Sequence, residues 1–315
     1  MKDIRTIDCN YLSRPRFAAA YLLTDGDEAV FVDNNTNHAV PALLAALAET
    51  GLTPQQVRYL IVTHVHLDHA GGTAALANAC PNATVIAHPR AAPHIVDPTR
   101  LVASATAVYG KTEFERLYGT IEPVARERVR EMGDDERLEF GGRTLTFLHT
   151  RGHANHHFCI ADDRSGAVFT GDAFGLHYPD LQGTGTFAFP STSPTDFDAE
   201  LARQSIRRIV AMSPATVYPT HFGAVTDIAR SADQLIRHLD FAEQLLHDTV
   251  DSELPDEKLE DYTEPRLRDY FAGLFDRHGA TAAAWELVDL DIRLNAQGIA
   301  FAAGKRRRKA REAAS

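Results

Sequence analysis

A chain of 315 residues with 44% hydrophobic composition can bury a full core and reads as one large domain with an appendage. Its formal charge of −11 argues against a general nucleic-acid or membrane-surface binder; the exception is KRRRKAR at residues 305–311, which carries six cations. Cys9, Cys80 and Cys159 lie far apart without a CxxC spacing, so neither a disulfide framework nor a catalytic thiol is expected.

In chain order, the opening MKDIRTIDCN lacks the apolar core of a signal peptide, and no apolar run reaches membrane-spanning length, so a cytoplasmic protein is expected. Short β-branched and aromatic runs then recur as candidate strands: AYLLT, AVFVD, YLIVT, TVIAH, TLTFLHT, HFCIAD, AVFTGD and TVYPTHF. Between them VPALLAALAETG has helical spacing, with Pro41 near its start and Gly51 at its end, and AGGTAALANAC reads as a second helix. The clustering of strands favours a layered mixed α+β fold over a βαβ repeat. From about residue 227 the pattern is helical, in SADQLIRHLDFAEQLLHD and TAAAWELVDLDIRLNAQGIAFAAG, with DSELPDEKLEDYTEP between them as a linker. The division expected is residues 1–250 as one domain and 251–315 as a helical extension with a basic tail.

Chemistry concentrates in LIVTHVHLDHAGG, residues 60–72. His64 and His66 alternate at a strand end and can project the same way, while Asp68 and His69 follow where the chain turns into a helix. Imidazole with carboxylate is the ligand set of borderline divalent metals such as zinc. Three later points share that setting, a polar residue where a strand stops: His153 in HTRGHANHHF, Asp172 in VFTGDAF and His221 in VYPTHFG. Each alone is more often a turn residue; their order and shared setting reverse that judgement. His149 reads as a structural neighbour, and His156 and His157 as the start of a strand. DNNTNH, residues 33–38, reads equally as a loop reaching the ligand edge and as a turn with a helix cap.

With THVHLDH, His153, Asp172 and His221 in this order, residues 15–225 resemble the metallo-β-lactamase-fold hydrolase superfamily. The resemblance implies a four-layer αβ/βα sandwich, here followed by a helical C-terminal extension, with two divalent ions at one edge: zinc, or iron or manganese. It implies that His64, His66 and His153 hold the first ion and Asp68, His69 and His221 the second, and that Asp172 bridges them. Asp68 and a hydroxide held with Asp172 between the ions would be the catalytic groups. No serine elbow or motif cysteine competes for the nucleophile's role.

Several branches of that superfamily fit less well. The glutathione thioester hydrolases carry a cysteine-glycine-arginine segment after the bridging aspartate, absent from GDAFGLHYPDLQGTGTF; the homoserine-lactone hydrolases place a tyrosine where this chain has Gly175, although Tyr178 lies nearby in sequence. The nuclease branches add a long inserted domain or an RNA-binding arm, and neither is found. HPRAAPHIVDP and LNAQG instead look similar to a branch with a helical extension and no settled substrate. Residues 88–135, with Tyr109, Phe114, Leu117 and Tyr118 at helical spacing, are expected to form two helices that either cap the substrate or simply pack the insertion down. The leading expectation is hydrolysis of a small ester, thioester, lactone or similar acyl substrate; an iron-dependent oxidoreductase such as a persulfide dioxygenase, and a phosphodiesterase or nuclease, are the alternatives. Neither a membrane nor a nucleic-acid partner is expected. The wide apolar surface of WELVDLDIRLNAQGIAFAAG demands cover, from the sandwich, over the metal edge, or in a homodimer through these helices.

Overall fold

A computed structural model describes residues 3–279 and 282–314, and of these all side chains but those of Val108 and Tyr109, so Tyr109 of the expected cap lies outside the described side chains. The described residues divide into two compact units. The first takes everything up to His149 with His156–Gly171 and Ser213–Thr226; the second takes Thr150–Asn155, Asp172–Met212 and everything from Asp227 on.

The first unit holds two sheets. Strands β1 (Ile4–Asp8), β2 (Ala19–Asp25), β3 (Glu28–Val32), β4 (Val57–Ile61), β5 (Thr84–Ala87) and β6 (Val129–Glu131) lie side by side in chain order, antiparallel up to β3 and parallel from there. Strands β7 (Arg137–Phe140), β8 (Arg143–His149), β9 (Phe158–Asp162), β10 (Ala167–Gly171) and β11 (Thr216–Pro219) form the second sheet, antiparallel except for β10 with β11. The period of two sorts the first sheet's side chains between two cores. Leu22, Phe31, Leu60 and Val85 face helix α1 (Val40–Ala48) and helix α3 (Thr73–Ala79), which follows the single turn of α2 (Leu67–Ala70). Their neighbours Tyr21, Leu23, Val30, Val32, Ile61 and Ile86 pack instead on Phe147, Phe158, Ile160 and Phe169 of the second sheet.

All eight expected strands are present. The three the sequence did not suggest, IRTID, VRE and RLEF, are the edges β1, β6 and β7. Charged residues there blunt an exposed edge and also erase the apolar signal by which a strand is recognised. The expected second helix is split by Gly71 and Gly72 into α2 and α3. The insertion carries three helices rather than two: α4 (Ala92–Val96), α5 (Thr99–Tyr109) and α6 (Lys111–Tyr118).

The second unit is helical: α7 (Ala199–Ala211), α8 (Ile228–Asp251), α9 (Leu259–His278) and α10 (Ala282–Ala314). The expected linker is mostly helix, since α9 begins at Leu259 and runs through Pro265. Leu259, Thr263, Leu267, Phe271 and Phe275, four residues apart, are all buried, and that ridge outweighs the proline's lost hydrogen bond. Thr263 also donates from Oγ1 to the Ala296 carbonyl of α10 at 3.1 Å. On α10, Val288, Ile292 and Ile299 are fully covered within the chain, where α10 packs on α8 and α9. The basic run is part of α10 rather than a loose tail. No described helix is long and apolar enough to cross a membrane.

Candidate metal centre

In the first unit, β4 ends at Ile61, and the chain bends through Thr63–His66 into α2, whose only turn carries Asp68 and His69. The His64 ring lies 4.5 Å from that of His66 and 4.0 Å from that of His69. The loop after β3 clamps this turn: Asn34 N donates to the His69 carbonyl (2.9 Å), Gly72 N to the Asn35 carbonyl (2.8 Å) and Asn35 Nδ2 to the Asp68 carbonyl (2.8 Å). A Cβ on Gly72 would stand 2.9 Å from the Thr36 carbonyl oxygen, so a residue with a side chain would push the clamp away.

Asp33, at the start of that loop, is buried and braces His69 from behind. Its Oδ2 lies 2.9 Å from His69 Nδ1 and accepts from Thr220 Oγ1 at 2.7 Å; its Oδ1 accepts from Thr63 N and Thr63 Oγ1 at 2.8 and 2.9 Å. His221 follows β11, which Tyr21 holds by donating to the Pro219 carbonyl and accepting from Gly223 N (3.1 Å). His221 Nδ1 donates to the Phe17 carbonyl at 2.8 Å. With both Nδ1 atoms engaged, Nε2 of His69 and of His221 faces Asp68 Oδ2 at 3.7 and 3.3 Å. Ligand atoms of Asp68, His69 and His221 lie within 4.8 Å of one another. Two imidazoles fixed in one tautomer and turned on a carboxylate are a donor set that fits a divalent cation.

Within the second unit, Nε2 of His153 and Oδ2 of Asp172 stand 3.4 Å apart. His153 Nδ1 donates to the Ser191 carbonyl at 3.2 Å. Ser191 is held in turn by α10: Asn295 donates to the Pro190 carbonyl (3.0 Å) and accepts from Thr192 N (2.6 Å), while Thr192 Oγ1 donates back to the Asn295 carbonyl (3.1 Å). The LNAQG segment is thus the brace behind His153, a role its sequence did not reveal because Pro190 lies 105 residues away.

A family model described as the metallo-β-lactamase superfamily matches residues 13–221, more than half of the chain. The chain belongs to the metallo-β-lactamase superfamily. A metallo-β-lactamase fold-containing protein of Sulfurisphaera tokodaii is 23% identical over 71% of this chain and 80% of its own length. An atrochrysone carboxyl ACP thioesterase of Aspergillus fumigatus is 24% identical over 69% of this chain, which spans only 54% of that protein. In three dimensions an archaeal superfamily member from Sulfolobus tokodaii matches with a TM-score of 0.66 at 20% identity, over 95% of this chain and 98% of its own. The fold is the metallo-β-lactamase fold, a mixed α+β chain with two sheets and a helical C-terminal extension.

Within this superfamily the chain's departures have structural causes. At Gly175 φ is +72°, and a Cβ would meet Leu235 at 2.4 Å and the Phe189 carbonyl oxygen at 2.6 Å, so no tyrosine fits there. Tyr178 does not replace it: the residue is buried and its hydroxyl donates to Asp291 of α10 at 3.1 Å. His149 reaches the Met132 carbonyl (3.0 Å), and its ring lies tilted 4.1 Å from that of His88. His156 and His157 stand just before β9: His157 is fully buried with its ring 4.9 Å from that of His64, and the half-buried His156 ring lies 5.6 Å from that of His66. Phe114, Leu117 and Tyr118 are buried, Tyr118 and Tyr11 pair their hydroxyls at 3.3 Å, and Asn37 donates to the Tyr118 carbonyl at 3.2 Å. Through that carbonyl Asn37 ties the end of α6 to the clamp loop. Burial pushes the Cys9 thiol above its usual range and the Cys80 thiol up to about 11, which makes both poor nucleophiles.

Proposed function

We propose that the chain is a binuclear metal-dependent hydrolase of small acyl substrates: an ester, thioester or lactone. The observation that carries this reading is the nest of Asp68, His69 and His221, in which Asp33 and the Phe17 carbonyl leave both Nε2 atoms turned on one carboxylate. In this reading His64, His66 and His153 hold one ion, Asp68, His69 and His221 the other, and Asp172 serves both. Zinc suits the donor set, with iron and manganese as alternatives. When bound, two divalent cations supply a water activated at neutral pH and positive charge for the oxygen that gathers charge during acyl transfer.

The chain's own residues do the remaining work. Asp33 keeps His69 in the tautomer that presents Nε2, the Ser191 carbonyl does the same for His153, and in this reading the half-buried Asp68 would accept the proton that the nucleophile loses. The Aspergillus fumigatus thioesterase among the relatives supports an acyl substrate. Elemental analysis of metal-replete protein should give close to two ions per chain. A panel of p-nitrophenyl esters, acyl thioesters and lactones should show turnover that a chelator abolishes. Asp172→Asn should cost orders of magnitude in rate with the fold intact, because the amide keeps the shape but loses the charge that holds two cations together. Turnover only of a persulfide with oxygen uptake, or only of a phosphodiester, would replace the acyl reading.

A further inference from the structure

The second unit contains a cleft of about 250 Å³ between α8 and α9 that nothing in the hydrolase reading uses. Arg237 and His238 line it from α8, and Tyr270, Leu274 and Arg277, at helical i, i+4, i+7 spacing, from α9; Phe187 closes it. The charge is one-sided. Neighbouring arginines are spent on acids: Arg203 on Asp240 and Glu243 at 2.8 and 2.6 Å, Arg268 on Glu264 and Asp289 at 2.7 and 2.8 Å. Arg237 and Arg277 enter no ion pair among the described residues, and Asp240, the carboxylate that acts on Tyr270, is already held by Arg203. The field of the two guanidiniums is felt inside: the His238 imidazole is lowered to about 4, first by burial and then by Arg237 and Arg277.

The walls are pre-formed and flat. Tyr270 stacks on Phe241 with ring centroids 3.8 Å apart, and its hydroxyl meets His238 Nδ1 at 2.8 Å. Gln234 uses both ends of its amide to hold the loop that carries Phe187, accepting from Ala188 N at 2.8 Å and donating to the Thr186 carbonyl at 2.6 Å. His278 fixes the same loop through the Leu181 carbonyl at 2.7 Å.

We propose that this cleft is a binding site for a small organic phosphate, its dianionic head between Arg237 and Arg277 and a planar ring against Phe187, Tyr270 and Leu274. Two unspent guanidiniums match a dianion in charge, and their planar forks match its oxygens. The volume lies just below the usual range of small-molecule pockets, which suits a one-ring ligand. The site is independent of the hydrolase reading.

Isothermal titration of the full-length, metal-replete protein with phenyl phosphate, inorganic phosphate and benzyl alcohol tests it. Phenyl phosphate should bind more tightly than inorganic phosphate, and benzyl alcohol should bind weakly. Arg237→Gln and Arg277→Gln should each weaken phenyl phosphate on the order of tenfold or more, and the double variant should abolish its binding. Both arginines are exposed, so circular dichroism and metal content should stay as in the wild type. Phenyl phosphate binding that survives in the double variant, as binding at the metal ligands would, overturns the proposal. So does benzyl alcohol binding as tightly as phenyl phosphate, or no binding of phenyl phosphate at millimolar concentration.

Discussion

Asp33 shows how much a single residue can carry without touching a metal. Its two oxygens gather His69, Thr63 and Thr220, residues brought together from α2 and from the segments just after β4 and β11. Replacing it with alanine leaves His69 free to rotate and to change tautomer. Asp33→Ala should therefore lower metal affinity roughly 10- to 100-fold, read by competition with a chromophoric chelator, and should lower turnover in step. Unchanged affinity would mean that the ligands are held by the backbone alone. The candidate ligand set itself was legible as HxHxDH and three later residues, because metal ligands must be of few residue types. The importance of Asp33 was not, because an aspartate after a strand looks the same whether it caps a turn or braces a histidine.

At the scale of elements, α10 does two separate jobs. Through Asn295 it holds residues 190–192 behind His153, so Asn295→Ala should weaken metal binding about tenfold while leaving Thr192 N without its acceptor, at a cost of about 1–3 kcal/mol. Metal titration and urea unfolding separate the two effects. Further along, Arg307 satisfies the carbonyls at the end of α8: it donates to those of Thr249, Val250 and Leu254 at 2.8, 2.9 and 2.6 Å, and also to that of Ser252. Its charge also sits at the negative end of that helix dipole. Arg307→Ala should cost about 2–3 kcal/mol in urea unfolding, and Arg307→Lys should recover only part, since one ammonium cannot reach four carbonyls. KRRRKAR read as a solvated tail because composition shows charge and not partners. Removing it would strip the cap from α8.

Part of the whole molecule's response to acid follows from two buried histidines outside the candidate ligand set. Burial lowers His177 to about 4, against the opposite pull of the Phe174 carbonyl, and burial with two arginines lowers His238 to about 4. Above pH ~6.5 each is neutral whether the chain is folded or not, and contributes nothing to the slope. Between pH ~6.5 and ~4 the unfolded chain binds protons that the folded chain refuses. Stability should therefore fall with pH across that window, by an amount on the order of 3 kcal/mol for each group. Urea midpoints from pH 7 to pH 4 should show the decline, and His177→Gln should flatten part of it whatever its effect at pH 7. A slope unchanged in that variant would mean that His177 takes up its proton in the folded state.

The sequence alone determined the family, the alternating strands and the order of the candidate ligand residues, since each rests on local chemistry: a period of two, a turn, a residue type able to bind metal. It also contained the five-residue ridge of α9, its members four positions apart, masked by the charged residues between them and by Pro265. Tertiary structure decided what no local pattern encodes. Leu176 and Phe189 exchange backbone bonds across the loop after Asp172, and Leu235 closes on Gly175, so the tyrosine of a related branch has no room. Arg237 and Arg277, 40 positions apart in the sequence, share one cleft. Such facts depend on which distant segments meet, and a meeting is a property of the packed chain, where burial and complementary donors select one arrangement from the many that the same local signals allow.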